Sequence, residues 1–328
     1  MRNACLNRRT FTLGVAALAL TDGPTAFAQA YPDRPVRFVV PMAPGGSVDV
    51  VSRAVAQVLA QRLGQSVVVD NKPGAGGALA ASFVSGAAPD GYTVFVADTG
   101  QLAINPSLYK KLPYDARMPF VPVTEAVAAP LYLVVNSSLP VNTVQEFIAY
   151  AKAQNAPLAY GSTGVGSVHH LGMEHLASAT GIKVNHIPYK GAAQSSAAVA
   201  AGEVQAAFSA LPSLRPLIAA GKVKVLAVAL PARTALTPEV PTIAESGVKG
   251  FDASVTIGFV LPPRTSDAIA QRLQREIIQA LATVEVQKQL AALGLVPMGN
   301  TSAQYGQNIE SDTVKYRDLI KLTGATAE

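Results

Sequence analysis

Two short glycine-rich stretches carry the residue types that could hold an anion. Pro44-Gly45-Gly46-Ser47-Val48-Asp49 and Gly161-Ser162-Thr163-Gly164-Val165-Gly166-Ser167 each follow a run with strand character and precede one with helical spacing. At such a junction the first backbone N–H groups of the helix lack an intrahelical acceptor, and the helix dipole favours negative charge. Glycine lets that backbone approach a ligand closely. Ser47 suits an N-cap, Asp49 either caps the first turn or faces the ligand, and Ser162, Thr163 and Ser167 add hydroxyls. One such stretch is ordinarily only a tight turn. Two of them, one in each half of the chain, make a candidate anion site.

Other chemistries lack their residues. His169 stands where a dinucleotide fingerprint needs its third glycine, and neither G-x-x-x-x-G-K-[ST] nor G-x-S-x-G occurs. His169, His170, Glu174 and His175 fit neither H-E-x-x-H nor H-x-x-E-H, so no metal and no cofactor is expected. His169, in the first turn after the second stretch, is a candidate donor to a ligand, and His186 reads as structural.

The elements that must position these loops alternate in the βαβ manner of parallel sheets. Strands are expected at Val36 to Val40, Val67 to Val69 and Thr93 to Ala97, with a helix between the first two that carries Val51, Val55, Val58, Leu59 and Leu63 and stops at Gly64. A second series starts at Leu131 to Val135 and continues through strands near 157–160, 184–187, 204–208 and 224–229. A last strand, Thr256 to Leu261, precedes helices over 266–282, 284–293 and 302–322. The second series supplies its own helices, so the C-terminal segment is expected to return to the first sheet. That gives a discontinuous lobe of residues 29–130 and 252–328, an inserted lobe of 131–251, and a hinge with two crossings.

The chain has 328 residues, 49% hydrophobic and only 14% charged, which excludes disorder and predicts two cores rather than one. Arg2, Arg8 and Arg9, the apolar run Phe11 to Leu20 and the Ala26-Phe27-Ala28 pattern read as an export leader cleaved after Ala28, by the general or the twin-arginine route. The apolar run falls short of a membrane span. Cleavage removes Cys5, the one cysteine, and lowers the net charge from +5 to +3, with no dense basic run. A nucleic-acid partner is therefore not expected.

In order along the chain, Tyr31-Pro32-Asp33-Arg34-Pro35-Val36, Pro44-Gly45-Gly46 with Asp49, Asn71-Lys72-Pro73-Gly74-Ala75-Gly76-Gly77, Pro89-Asp90-Gly91-Tyr92, Leu112-Pro113-Tyr114-Asp115, Tyr160-Gly161-Ser162 through Ser167 with His170-Leu171, Ile187 to Gly191, and Pro241 to Glu245 resemble the substrate-binding proteins of tripartite tricarboxylate transporters, the Bug family. The resemblance covers essentially the whole chain after the leader. It implies a type II periplasmic-binding-protein fold, two α/β lobes closing over a carboxylate, delivery to permease subunits in the membrane, no catalysis and a monomeric receptor in the periplasm. At the site it implies Ala43, Pro44, Gly45, Gly46, Ser47, Asp49, Gly76 and Thr99 from one lobe and Ser162, Thr163, Gly164, Gly166, Ser167, His169 and Ser209 from the other. Relatives often carry Asp at Ser209, Trp around Thr256 and an acidic residue at Pro119; Ser209 suggests a ligand without a cation. A receptor for a sensor kinase is the alternative reading, and an exported enzyme on the same fold is disfavoured because no nucleophile–base set is visible.

Overall fold

A computed structural model describes residues 31–116 and 120–327. The leader read over residues 1–28 and the departure at Pro119 lie outside the described residues. β1 (Val36–Val40), α1 (Ser47–Leu63), β2 (Val67–Asn71), α2 (Ala78–Ser85) and β3 (Thr93–Asp98) come first, followed by a π-helical turn at Gly100–Ile104, α3 (Asn105–Leu108) and β4 (Val121–Ala129). Next come β5 (Tyr132–Asn136), α4 (Val144–Ala153), β6 (Leu158–Ser162), α5 (Val168–Thr180), β7 (Val184–Pro188), α6 (Ala192–Ala201), β8 (Ala206–Ser209), α7 (Leu211–Ala219) and β9 (Val223–Val228). The chain ends with β10 (Val255–Leu261), α8 (Asp267–Leu281), α9 (Val284–Ala292), β11 (Val296–Pro297) and α10 (Ser302–Thr323).

These strands form two sheets of matching design, in the two-lobe arrangement of type II periplasmic binding proteins. The first has the order β11-β4-β10-β3-β1-β2 and the second β7-β6-β8-β5-β9. In the first, β1 pairs in parallel with β2 and β3, and β10 runs antiparallel between β3 and β4. In the second, β6 pairs in parallel with β7 and β8, and β5 runs antiparallel between β8 and β9. β1 and β6 thus hold equivalent places, and the two glycine-rich loops leave their carboxyl ends, where open α/β sheets bind ligands. The strands are near-continuous apolar runs because helices cover both faces; all five residues of β5 are buried.

β4 and α7 go unrecognised in the sequence because prolines and a carboxylate interrupt their apolar patterns. β4 contains Pro122 and the buried Glu125, whose carboxylate accepts from Asn300 and Asn308 Nδ2, each at 2.6 Å. α7 carries Pro216. Helix α8 packs on β4 and α1, so it covers the first sheet. α10 begins at a capping box on Thr301 and packs on β4, but its last turns leave that sheet. Tyr316, Leu319 and Ile320 are buried in one core with Leu131, Leu133, Leu171 and Phe208, and that core also takes in Ala103, Ile104 and Leu108.

Candidate functional site

Between the carboxyl ends of the two sheets lies a cavity of about 360 Å³. Met42, Gly76, Asp98, Gly100, Gln101, Ile104, Asn105, Leu108 and Tyr109 line it from the first sheet's side, and Thr163, Val165, Gly166, Ser167, Val168 and His169 from the second. Val255 and Ala327 complete the wall. Among the described residues no lysine or arginine lines it. Among the described residues no group of three or more His, Cys, Asp or Glu could hold a metal ion, and no helix is long and apolar enough to cross a membrane.

The first loop is held from below. Gly45, at φ 90°, donates its N–H to Asp49 Oδ2 at 2.9 Å. Asp49 is 3% exposed and also accepts from Arg53 Nε and from Asn71 Nδ2, which reaches Met42 O as well. Burial opposes ionisation of Asp49, but the bonds from Arg53, Gly45 and Asn71 outweigh it and keep its pKa below the usual carboxylate range. Asp49 therefore shapes the loop. Residues Ala43, Pro44, Gly45, Gly46 and Ser47 are exposed at the rim, and only the neighbouring Met42 reaches the cavity wall. The N-cap of α1 is Gly46, so no side chain caps the helix and its first N–H groups are left to a ligand or solvent. Replacing Asp49 with alanine removes three sets of bonds at once. The expected loss is about 1–3 kcal/mol of stability at pH 7, read from urea denaturation. Because its folded pKa is depressed, that contribution is present at neutral pH and disappears as pH falls through the folded value, so the variant and the wild type should converge in acid.

The second loop is folded on itself. Ser162, fully buried, accepts the Gly164 N–H at 3.0 Å and pairs with His186 Nε2 at 2.5 Å. Ser167 caps α5 by accepting the His170 N–H and donates to Gly164 O at 2.8 Å. Gly166 donates its N–H to His170 Nδ1 at 3.1 Å. The hydroxyls of Ser162 and Ser167 and the N–H groups of Gly164 and Gly166, read from the sequence as ligand donors, are thus engaged within the lobe. Facing the cavity beside Val165, Gly166 and Ser167 are Thr163, whose hydroxyl pairs with His169 Nδ1 at 3.1 Å, and Val168 and His169 at the first two positions of α5, where the helix offers their N–H groups no acceptor. Burial pushes the His169 imidazole down to about 4, so it is neutral at physiological pH.

Two further sequence candidates lie off the cavity. Thr99 is 2% exposed, and its hydroxyl pairs with Thr256 Oγ1 at 3.0 Å and accepts the Thr256 N–H at 2.9 Å. That pair ties β3 to β10. Ser209 is fully buried and bonded to Ser196 Oγ at 2.8 Å. Gly76 does line the cavity, and its carbonyl accepts from Gln101 Nε2 and Asn105 Nδ2. Sequence reasoning missed Asp98, Gln101, Asn105, Leu108 and Tyr109. The usable signal was positional: Asp98 closes the third parallel strand, at the same sheet edge from which the first loop departs.

Comparison with known proteins converges on the same fold. The profile of the tripartite tricarboxylate transporter family receptor matches residues 51–325. The chain is 34% identical over 315 residues to the protein BugT of Bordetella pertussis, covering 96% of this chain and 94% of that protein. It is similar to the structure of Rhodopseudomonas palustris Rpa4515 with adipate, at 32% identity and TM-score 0.77, covering 90% of this chain and 99% of that one. MatC from the same organism, with bound malate, matches at 29% identity and TM-score 0.72, covering 88% and 100%. By its sequence profile, its paired sheets and the cleft between them, the chain belongs to the tripartite tricarboxylate transporter receptor family, a family of solute-binding proteins.

Proposed function

We propose that this protein is a periplasmic receptor that captures a small organic carboxylate between its two lobes and delivers it to the membrane permease subunits of a tripartite tricarboxylate-type transporter. The lobes are assigned as residues 29–130 with 252–328, and residues 131–251. The observation that carries the reading is a cleft between the carboxyl ends of the two sheets, walled by the N-terminal turn of α5 and by Met42 just before the first loop, with no lysine or arginine among its described lining residues. Backbone N–H groups and neutral side chains are then the anion's partners. Micromolar binding needs about 8 kcal/mol, and each hydrogen bond to a charged group supplies roughly 1.5–3, so a few donors suffice after the costs of association. Adipate and malate in two similar receptors support the ligand class.

Isothermal titration against mono-, di- and tricarboxylates at pH 7 is expected to give micromolar or tighter binding to at least one of them, with no turnover of the bound compound. A blank across the panel overturns the reading. Deleting the protein should abolish uptake of the same compound by intact cells.

A further inference from the structure

Among the described residues Asp98 is the one carboxylate in the cavity wall, and it has 8% of its surface exposed. Its Oδ1 accepts the Gly100 N–H at 2.7 Å, and its own N–H is taken by Gln101 Oε1 at 2.9 Å. Both contacts come from the turn that follows β3. Among the described residues no ion pair reaches it, and the cavity holds no lysine or arginine to offset its charge. The titratable groups around it are Tyr109 and His169 in the same wall, Tyr305 on α10, whose phenol feels the Asp98 charge, and Glu125 on β4, which acts on the same Tyr305. None of these is a cation at neutral pH. Burial alone pushes the Asp98 carboxyl up to about 6, against the pull of its hydrogen bonds.

A cleft for an anion that carries an uncompensated carboxylate of its own sets two like charges against each other, in a place where water cannot fully screen them. A hydrogen-bond donor between them removes the conflict. We propose that Asp98 reads the part of the ligand beyond the loop-held carboxylate: it accepts a hydroxyl, an ammonium or a protonated carboxyl there, and a straight-chain dicarboxylate that lacks such a donor binds only with uptake of one proton. The proton comes from solvent and is shared between Asp98 and the distal carboxylate. This rests on the receptor reading of the same cleft and adds a selectivity to it. It also relocates the charge question raised by Ser209, which is sealed in the second lobe.

The test is titration calorimetry of the wild type and Asp98→Asn with succinate, glutarate and adipate, with malate as the hydroxylated comparison and a monocarboxylate as control. Measurements run from pH 6 to pH 8, above the titration of the free ligands and of His169. Wild-type affinity for the straight-chain diacids is expected to fall about tenfold per pH unit in the upper part of that range. Malate should fall less. Repeating the titration at pH 8 in buffers of different ionisation enthalpy should show uptake of close to one proton per diacid, a readout that needs no variant. Asp98→Asn should bind the diacids with flat pH dependence and at least about tenfold more tightly than the wild type at pH 8. A residue that merely holds the Gly100 turn would leave the pH slope unchanged when replaced. A diacid that binds the wild type equally at pH 6 and pH 8 with no proton uptake overturns the assignment and leaves the receptor reading standing. A panel that does not bind at any pH overturns both.

Discussion

Gly166→Val is expected to weaken carboxylate binding by at least 100-fold, or about 2.7 kcal/mol, without unfolding the protein. Gly166 sits at φ 75°, where a β-branched residue is strained by about 1–3 kcal/mol. A side chain there would also have nowhere to go, since a Cβ would lie 2.3 Å from Leu108 Cδ2 and 2.6 Å from Leu108 Cδ1. Leu108 is buried in the core shared by both lobes and cannot swing into solvent. The second loop must therefore lift off α3, dragging the N-terminus of α5 from its place in the cavity wall. Gly164 provides the control: it lies at φ 124°, with nothing within 4 Å of its Cβ position, so Gly164→Val should show the backbone strain alone, a loss nearer tenfold. Adding Leu108→Ala to Gly166→Val should recover part of the lost affinity. Wild-type affinity in Gly166→Val, with circular dichroism confirming the fold, would show that the loop's seat on Leu108 does not matter to binding.

Behind the same loop, His170 makes the protein sensitive to acid. Its ring is 6% exposed and stacks on His186 at a centroid distance of 4.0 Å, with Tyr160 stacked beyond. Because Nδ1 accepts the Gly166 N–H, the ring has to be neutral there. Burial, helped by His186, pushes His170 down to about 4. The unfolded chain, with its histidine near the ordinary value of about 6.5, then binds the proton more readily than the folded chain. Stability from this group is complete above that value and is lost as pH falls toward 4, by up to about 3 kcal/mol.

Asp98 works in the opposite direction over the same range, since its raised pKa makes the folded state the better proton binder, and the wild-type curve reports only the balance. Comparison with His170→Asn isolates the histidine, because the asparagine Oδ1 can take the Gly166 N–H at every pH. At pH 7 the variant should be less stable by about 1–2 kcal/mol for its lost packing, and by pH 4 the order should reverse. Urea midpoints at a series of pH values check this. Parallel curves would show that His170 does not carry the acid response.

Fold class and both loops were legible in the sequence because each rests on local rules. Near-continuous apolar strands such as Val36–Val40 and Tyr132–Asn136, and glycines at strand-to-helix junctions, say what they are within a ten-residue window. Which donors remain available to a ligand was not legible. Ser162 looks like a ligand hydroxyl until His186, 24 positions on, is seen to take it, and Asp49 looks free to face a ligand until Asn71 and Arg53 close around it. Thr99 and Thr256 find each other across 157 positions. Such pairings depend on strand order, which a pattern of apolar residues does not encode. Asp98 escaped for the reverse reason: an isolated acidic residue at the end of a strand reads as a solvated turn until the turn at Gly100 and Gln101 is seen to fold over it.

α10 bears on how far the two lobes can part. The chain passes between the lobes twice as backbone, and α10 adds a third connection, rooted on β4 and ending with Tyr316, Leu319 and Ile320 in the far core. A wide swing about the two crossings would draw those side chains into water at roughly 1.5–3 kcal/mol each. α10 therefore penalises any motion that parts the two sheets widely. With the sheets tied in this way, the rim formed by residues 43–47 stays exposed while the cores behind it hold still.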